Sequence, residues 1–194
     1  MSPLREIAYR LDPALWVKEV LGVRPRPWQE RFLRAPRGAQ IAALTGRQGG
    51  KSTTACWALS HAAIFQPGSL SVVVCPAQRQ SSELVRRVRE AVLKAGGTFR
   101  LDNVFAVELD NGSRVLALPG SDDSVRGLTV DAWIVADEAA RLSPDLIAAL
   151  RPMRAQKPDA PARHAFHRLD PQRSVLEGVG ERRPALDPHP CHCR

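Results

Sequence analysis

Short apolar runs alternate along this chain with segments whose apolar residues recur at helical spacing. The runs "QIAAL", "LSVVVC" and "AWIVA" contain no charged residue and predict buried strands. The segments "KSTTACWALSHAAIF" and "QRQSSELVRRVREAVLK" lie between them and predict helices. Strands that alternate with helices predict an α/β fold, with a mostly parallel sheet flanked by helices.

Local signals mark where several further elements begin. Asp12 precedes Pro13, and Ser143 precedes Pro144, which predicts two helices that each begin with a capping side chain and a proline. Another helix is predicted at "WQERFLR", after the proline-containing stretch "RPRPW". The stretch "VFAVELDNGSRVLALPG" predicts a β-hairpin whose turn is "DNGS".

The character of the sequence changes after about residue 154. Residues 155–194 hold four of the five histidines and six of the sixteen prolines, and their apolar residues follow no regular period. We expect one folded domain over residues 1–154 and an irregular, disordered tail over residues 155–194. No zinc site is expected from His189, Cys191, His192 and Cys193. Only one residue separates the two cysteines, and the sequence has no second cluster of cysteines and histidines.

Charge and cysteine usage narrow the class of partner and the compartment. The formal net charge is +8 and the sequence pI is about 10.2, which favours a polyanionic partner such as nucleic acid. Two of the four cysteines lie in predicted core elements and two near the end of the tail, which fits a reducing cytosol better than a disulfide framework. No membrane span is expected, and the charges in "MSPLREIAYR" argue against an export signal.

The stretch "TGRQGGKST" lies between a predicted strand and a predicted helix, which is the setting of a Walker A phosphate loop. Glycines let backbone N–H groups approach phosphates, and the start of the helix adds partial positive charge. Lys51 would contact the β- and γ-phosphates, and Ser52 would bind Mg²⁺. The pattern is imperfect, because Thr45 stands where the first glycine is expected, so an ordinary glycine turn is the alternative. The predicted nucleotide-binding residues are Gly46, Gln48, Gly49, Gly50, Lys51, Ser52 and Thr53.

Two carboxylates follow the apolar run "AWIVA", at the end of a strand where open α/β sheets place their ligands. Asp137 would bind Mg²⁺ as the Walker B acid, and Glu138 would be the general base that orients the attacking water. Alone, such a pair is weak evidence, since many strand ends carry solvated acids. Together with a phosphate loop about 85 residues upstream, it predicts an ATP–Mg²⁺ site.

Other positions have more than one interpretation. Gln29 would hydrogen-bond the adenine edge with Trp28 packed nearby, or the two residues simply begin a surface helix. Arg47 lies inside the loop and would stabilise charge on the γ-phosphoryl group as a catalytic arginine, or would contact neighbouring carboxylates. Arg126 and Gly127 would contact DNA, sense nucleotide or form an ordinary loop, and the sequence leaves these alternatives open.

The combination of "TGRQGGKST" with "RPWQERFL", "VVVCPAQRQSSELVRRV" and "VRGLTVDAWIVADEAARL" resembles the large terminase subunits of tailed bacteriophages. The resemblance covers residues 20–153. It implies a P-loop ATPase of the additional-strand class, which hydrolyses ATP to drive viral DNA into an empty capsid. It also implies the same roles for the phosphate loop and the two acids, with Arg47 as the loop arginine and Gln29 as the adenine-side glutamine.

The resemblance further implies the setting in which the protein acts. The expected partners are double-stranded DNA, the portal protein and a small terminase subunit, with a homo-oligomeric ring and no membrane. The expected location is the cytoplasm of the bacterial host, transiently at the procapsid portal. The alternatives are a fragment of a superfamily 2 helicase, which shares a glutamine motif and a "DEA" box, and an inactive prophage remnant.

Two features of the family are not found in this sequence. A coupling motif, in which a strand ends Ser/Thr-Thr-Pro before a glycine, does not follow Glu138, and we expect no nuclease domain within these 194 residues. With one set of codons, reading "HAFHRLDPQRS" one base later yields Ser-Thr-Ala-Ser-Thr-Pro-Ser-Gly. We therefore hypothesise a truncated or frame-shifted reading frame, with the shift near residues 155–165, which sequencing the gene would test.

Overall fold

A computed structural model describes residues 2–44, 49–118, 128–150, 153 and 163–168. The helices are α1 (Pro3–Leu11), α2 (Pro13–Glu19), α3 (Pro27–Leu33), α4 (Lys51–Phe65), α5 (Gln78–Lys94) and α6 (Pro144–Leu150). The strands are β1 (Gln40–Leu44), β2 (Leu70–Val74), β3 (Phe99–Asp102), β4 (Ala106–Leu109), β5 (Arg114–Leu118), β6 (Trp133–Ala136) and β7 (Arg163–Arg168), and a 3-10 turn covers Ala139–Arg141.

The strands form one sheet in the order β1-β7-β6-β2-β5-β4-β3. The first five of these strands are parallel to one another, and β4 and β3 extend the sheet beyond β5 in antiparallel fashion. The prediction of an α/β fold with a mostly parallel sheet is therefore confirmed. The predicted hairpin is also present, because β4 and β5 pair antiparallel on either side of the "DNGS" turn.

Strand β7 differs from the irregular structure that we expected for residues 155–194. It lies inside the sheet, parallel to β1 on one side and to β6 on the other, with Ala165 opposite both Ile41 and Val135. The sequence conceals this strand because interior parallel strands are usually apolar throughout, whereas "RHAFHR" carries two arginines and two histidines. The strand separates β1 from β6, as the additional-strand class predicts. The boundary at residue 154 stays a prediction.

Helices cover both faces of the sheet. Val73 and Val135 face a core that includes side chains from α2, α4 and α5. Val72 and Ile134 face the opposite side, where they share a second core with Leu146 of α6. Because successive strand residues point to opposite faces, burial on both faces explains why every residue of β2 and β6 is buried and why both strands are almost entirely apolar, with Ser71 as the polar exception.

Two elements had no prediction, α1 and β3. Helix α1 contributes only Tyr9 to the core, and the Tyr9 hydroxyl donates to Glu19 Oε2 at 2.9 Å. Strand β3 pairs with β4 at the end of the sheet, and it is mostly exposed. Both elements are short and bury few side chains, so their sequences carry little periodic signal. Among the described helices, none has the length and apolar character needed to cross a membrane.

Candidate nucleotide site

The predicted site residues meet at the carboxyl ends of the parallel strands. Strand β1 ends at Leu44, and α4 begins at Lys51 after the glycine-rich loop. Strand β6 ends at Ala136, so Asp137 and Glu138 come next at the same edge. This is the edge where open α/β sheets bind their ligands. The structure thus places the start of α4 beside the end of β6.

Gly50 is the residue through which the chain enters α4. Its φ is +84°, in the left-handed region that favours glycine. Its carbonyl oxygen accepts hydrogen bonds from the Thr54 amide at 2.9 Å and from Thr54 Oγ1 at 2.8 Å. A Cβ at this position would lie 3.0 Å from Gln29 Nε2. Glycine is therefore favoured here both by backbone conformation and by the close approach of a neighbouring side chain.

Gln29 lies beneath the loop and is only 6% exposed. Its Oε1 accepts the amide of Arg26 at 2.8 Å, and its Nε2 donates to Thr54 Oγ1 at 2.8 Å. Because Thr54 Oγ1 in turn donates to the Gly50 carbonyl, a chain of hydrogen bonds connects α3 to the loop through α4. The hydrogen bond from Gln29 to adenine that the sequence suggested stays a prediction. The sequence analysis did not identify Thr54 as part of the site. A threonine four residues after the last loop glycine was the available signal.

Ser52 and Asp137 are in direct contact between α4 and β6. Ser52 Oγ donates to Asp137 Oδ2 at 2.6 Å, although 85 residues separate them in sequence. Asp137 Oδ1 accepts the amide of Glu138 at 3.0 Å, and Asp137 is buried. Because both oxygens accept hydrogen bonds, the carboxylate is held in one orientation.

This serine–aspartate pair fits a magnesium ion bound together with a nucleotide. Mg²⁺ keeps several waters and usually takes one or two protein oxygens together with substrate phosphates. The Ser52 hydroxyl and the Asp137 carboxylate are oxygen donors already within hydrogen-bond distance of each other. A single ion next to the phosphate loop would be within reach of both oxygens.

Glu138 has an unusual backbone conformation. Its φ is 50° and its ψ is 41°, and it is the only non-glycine residue with positive φ in the described part of the chain. This left-handed conformation costs a non-glycine residue on the order of 1 kcal/mol. Glu138 Oε2 also pairs with Arg141 Nη1 at 3.0 Å. Backbone strain of this kind is often found at functional sites. The catalytic role of Glu138 stays a prediction.

Arg87 is a cation near the loop that sequence reasoning missed. It lies on α5, where its Nη1 donates to Thr53 Oγ1 at 3.4 Å and its Nε donates to Glu83 Oε1 at 3.0 Å. Hydrogen bonds from Arg86 and Arg87 lower the pKa of Glu83 to about 2, so Glu83 stays ionised and holds Arg87 beside the first turn of α4. Helix α5 carries several arginines, and nothing in the sequence distinguishes this one.

The structure describes only part of the predicted site. Gly49, Gly50, Lys51, Ser52 and Thr53 lie at the end of the loop and in the first turn of α4. The following residues with predicted roles lie outside the described residues: Gly46, Arg47, Gln48, Arg126 and Gly127. The same holds for Thr45 and for the histidines and cysteines at the end of the tail.

Two buried thiols lie near the site. Cys75 follows β2, and Cys56 lies in α4. Neither cysteine forms a disulfide. Burial raises the pKa of Cys75 to about 12 and raises the pKa of Cys56 as well. A thiol with so high a pKa is protonated at neutral pH, and thiolate is the reactive form. These cysteines therefore act as small apolar core residues.

No family model and no curated protein matches the sequence. The large terminase ATPase domain of Thermus phage P74-26 matches with a TM-score of 0.69 and 23% identity, over 80% of this chain and 70% of that one. The large terminase of bacteriophage HK97 matches with a TM-score of 0.66 and 13% identity, over 81% of this chain and 37% of that one. The large terminase of the thermophilic bacteriophage D6E in complex with ADP matches with a TM-score of 0.55 and 12% identity, over 82% of this chain and 38% of that one.

These likenesses define the fold of the chain. It is the P-loop fold, with a glycine-rich loop between the first strand and α4. Within that class, it is the fold found in the ATPase domains of phage large terminases. The chain spans 37% of the length of the HK97 large terminase.

Proposed function

We propose that this chain is the ATPase motor domain of a phage or prophage terminase large subunit, which hydrolyses ATP to drive viral DNA into the procapsid. The observation that carries the proposal is the 2.6 Å contact between Ser52 Oγ and Asp137 Oδ2. It joins the predicted phosphate loop to the predicted Walker B acid at the ligand-binding edge of the sheet. The ADP bound to the D6E large terminase, which shares this fold, supports the nucleotide assignment.

Each described residue of the proposed site has a separate task. Backbone N–H groups at Gly49 and Gly50, together with the N-terminus of α4, would bind phosphate oxygens. Lys51 would bind the β- and γ-phosphates, while Ser52 and Asp137 would hold Mg²⁺. Bound Mg²⁺ would neutralise negative charge on the phosphates during transfer. Asp137 suits this role because its orientation is fixed by donors to both oxygens.

Glu138 would act as the general base. From the residue after Asp137, its carboxylate would orient the attacking water and accept a proton from it at Oε1 or Oε2. Arg141 pairs with Oε2 at 3.0 Å and limits the side chain to a small set of positions. Arg47 would supply positive charge to the γ-phosphoryl group as a catalytic arginine within the loop.

The proposed partners follow from the same assignment. Double-stranded DNA would be bound by its phosphates, since a packaging motor must move every sequence, and the net charge of +8 favours such binding. The portal protein, a small terminase subunit and further copies of the chain in a ring would complete the motor. Its place of action would be the cytoplasm of the bacterial host, at the procapsid portal during packaging.

Glu138→Gln tests the proposal, because it keeps the shape of the side chain and removes the base. ATP–Mg²⁺ should still bind, whereas hydrolysis should fall by about a hundredfold or more. Lys51→Ala should instead lower the affinity for ATP, because it removes the charge that faces the phosphates. Binding is measured by isothermal titration, and hydrolysis by phosphate release under single-turnover conditions with duplex DNA present.

Glu90→Gln is the matched control for Glu138→Gln. Glu90 lies on α5, pairs with Arg86 and is 57% exposed, so the same chemical change is made away from the site. Hydrolysis that is unchanged in Glu138→Gln, or equally reduced in Glu90→Gln, would contradict the assignment of the base. Equal ATP affinities in Lys51→Ala and the unmutated chain would contradict the phosphate loop itself.

A further inference from the structure

A large cavity lies at the amino ends of the parallel strands, at the opposite end of α4 from Gly50. Its volume is about 820 Å³, which is in the range of cavities that bind small molecules. Phe65 at the end of α4, Ser69 before β2 and Trp133 at the start of β6 contribute to its wall. The cavity reaches along α4 as far as Ala58, seven residues after Lys51, so roughly 10 Å of helix separates its nearest wall from the loop. The nucleotide site proposed above uses none of these residues.

Positive charge predominates in the lining of this cavity. Arg10, Arg34, Arg37 and Arg163 line it, and Asp131 is the only acidic lining residue in the described part of the chain. One of the four arginines, Arg34, is neutralised by carboxylates outside the lining. It pairs with Asp12 at 2.8 Å and with Glu30 at 3.0 Å. Three arginines therefore remain to act on a ligand.

Two of these arginines, Arg10 and Arg163, are anchored through Nε, and among the described residues their Nη groups have no hydrogen-bond partner. Arg10 donates through Nε to the Phe65 carbonyl at 3.3 Å. Arg163 donates through Nε to the Ala35 carbonyl at 2.7 Å, and its guanidinium carbon lies 5.3 Å from the centre of the Trp133 ring. Within the described residues, no carboxylate lies within 4.0 Å of the guanidinium groups of Arg10, Arg37 or Arg163.

Arg37 and Arg163 repel each other at the cavity. Arg163 is half-buried, and burial together with the positive charge of Arg37 lowers the pKa of its guanidinium. An anion bound in the cavity would offset this repulsion and would accept hydrogen bonds from Nη groups that have no partner among the described residues. Two negative groups at the cavity would disfavour an anion, and each already accepts a hydrogen bond. Asp131 Oδ1 accepts the Leu70 amide at 2.7 Å. The Phe65 carbonyl, at the negative end of α4, accepts from Arg10.

We propose that this cavity is a second anion site, which binds the phosphate group of a small molecule through Arg10, Arg37 and Arg163. Guanidinium groups suit phosphate because their planar fork forms two parallel hydrogen bonds to it. The half-buried position of Arg163 favours a small ligand over duplex DNA, because a duplex cannot enter a cavity of about 820 Å³. Free inorganic phosphate, pyrophosphate and a mononucleotide share the required chemistry.

The test uses pyrophosphate and the Lys51→Ala chain, in which the phosphate loop is weakened. Titration at about 0.1 M salt screens attraction beyond roughly 10 Å, so the overall positive charge contributes little. Lys51→Ala should still bind pyrophosphate at one site. Adding Arg37→Gln or Arg163→Gln should weaken that binding by about tenfold or more, as expected for a lost charge-assisted hydrogen bond. Parallel titrations with inorganic phosphate and AMP identify which source of the phosphate group is preferred.

Arg100→Gln is the matched control, since it removes one positive charge on β3, at the far end of the sheet. Binding should be unchanged in this variant. Arg163→Gln removes contacts to Ala35 and Trp133 and is therefore checked for folding by circular dichroism, whereas Arg37 is exposed and makes no such contact. The proposal is overturned if Lys51→Ala binds no pyrophosphate, if Arg37→Gln binds it unchanged, or if Arg100→Gln weakens it equally. The proposal is also overturned if pyrophosphate does not bind and duplex DNA binds in a way that depends on Arg37.

Discussion

The two anion sites proposed at the two ends of helix α4 rely on hydrogen-bond donors of two different kinds. At its start, Gly50 is fixed in the left-handed region with Gln29 close behind it, so the backbone itself faces the ligand edge. At its end, the candidate donors at the cavity are long side chains, with Arg37 and Arg163 supplying positive charge. Backbone donors need the absence of a side chain, and guanidinium donors need one. The comparison therefore predicts that similar substitutions will have different effects at the two ends.

A second contrast concerns buried polar groups. Near the start of α4, the polar side chains form a connected chain in which Gln29 donates to Thr54 and Thr54 donates to Gly50. Near its end, His61 is buried with a single hydrogen bond between Nε2 and the Tyr9 carbonyl at 2.8 Å. A connected network holds a loop in one geometry, whereas an isolated buried imidazole makes stability depend on pH.

The largest expected effect is the pH dependence that His61 gives to the free energy of unfolding. Burial lowers the pKa of His61 to about 4, while the hydrogen bond to Tyr9 partly opposes this shift. The unfolded chain, with an ordinary pKa of about 6.5, takes up the proton first as the pH falls. The fold should therefore lose up to about 3 kcal/mol between pH 6.5 and pH 4, with full stability retained above this window.

Urea unfolding between pH 7.5 and pH 4 measures this loss, and His61→Gln provides the comparison. Glutamine can donate to the Tyr9 carbonyl but does not titrate, so the difference between the two stability curves isolates the histidine from the carboxylates. Two curves of equal slope would show that His61 does not control acid stability.

The next largest effect compares Gly50→Ala with Gly68→Ala, two positive-φ glycines at opposite ends of α4. At Gly50 the new Cβ meets left-handed strain and a contact of 3.0 Å to Gln29 Nε2, which together should cost about 2 kcal/mol. Gly68, with φ +73°, has nothing within 4 Å of such a Cβ, so only the strain of about 1 kcal/mol is expected.

ATP affinity separates these two glycines further. It should fall by about tenfold or more in Gly50→Ala, because the loop backbone moves, and should be unchanged in Gly68→Ala. Thermal unfolding and isothermal titration of both variants give the two quantities. Equal effects on ATP affinity would show that the start of α4 does not bind nucleotide through its backbone.

The smallest expected effect compares Thr54→Val with Ser60→Ala, two hydroxyl deletions within α4. Thr54→Val breaks the chain from Gln29 to Gly50, which should cost about 1 kcal/mol of stability and lower ATP affinity a few-fold. Ser60 Oγ donates to the Cys56 carbonyl at 2.8 Å, so its removal should cost a similar amount of stability. ATP affinity should be unaffected in Ser60→Ala. If both variants bind ATP as the unmutated chain does, the hydrogen-bond chain does not position the loop.

Much of the fold was predictable because its signals are local. Helix α4 runs from Lys51 to Phe65, the span predicted from the segment "KSTTACWALSHAAIF". Asp12 caps α2 by accepting the amides of Ala14 and Leu15, and Ser143 accepts the amide of Leu146 at the start of α6. In each case the deciding residues lie within a few positions of one another. Strand β7 was not predictable, because its place in the sheet comes from pairing with β1 and β6 and not from an apolar run.

The candidate site divides along the same line. The sequence by itself determined that a helix begins at Lys51 and Ser52, directly after Gly50, and that Asp137 and Glu138 follow a buried strand, because composition and short spacing carry that information. Only the tertiary structure decided that Ser52 contacts Asp137, that Gln29 lies beneath Gly50, and that Arg37 and Arg163 share one cavity. These contacts join residues tens to more than a hundred positions apart. They depend on strand order and helix packing, which hydrophobic periodicity does not encode.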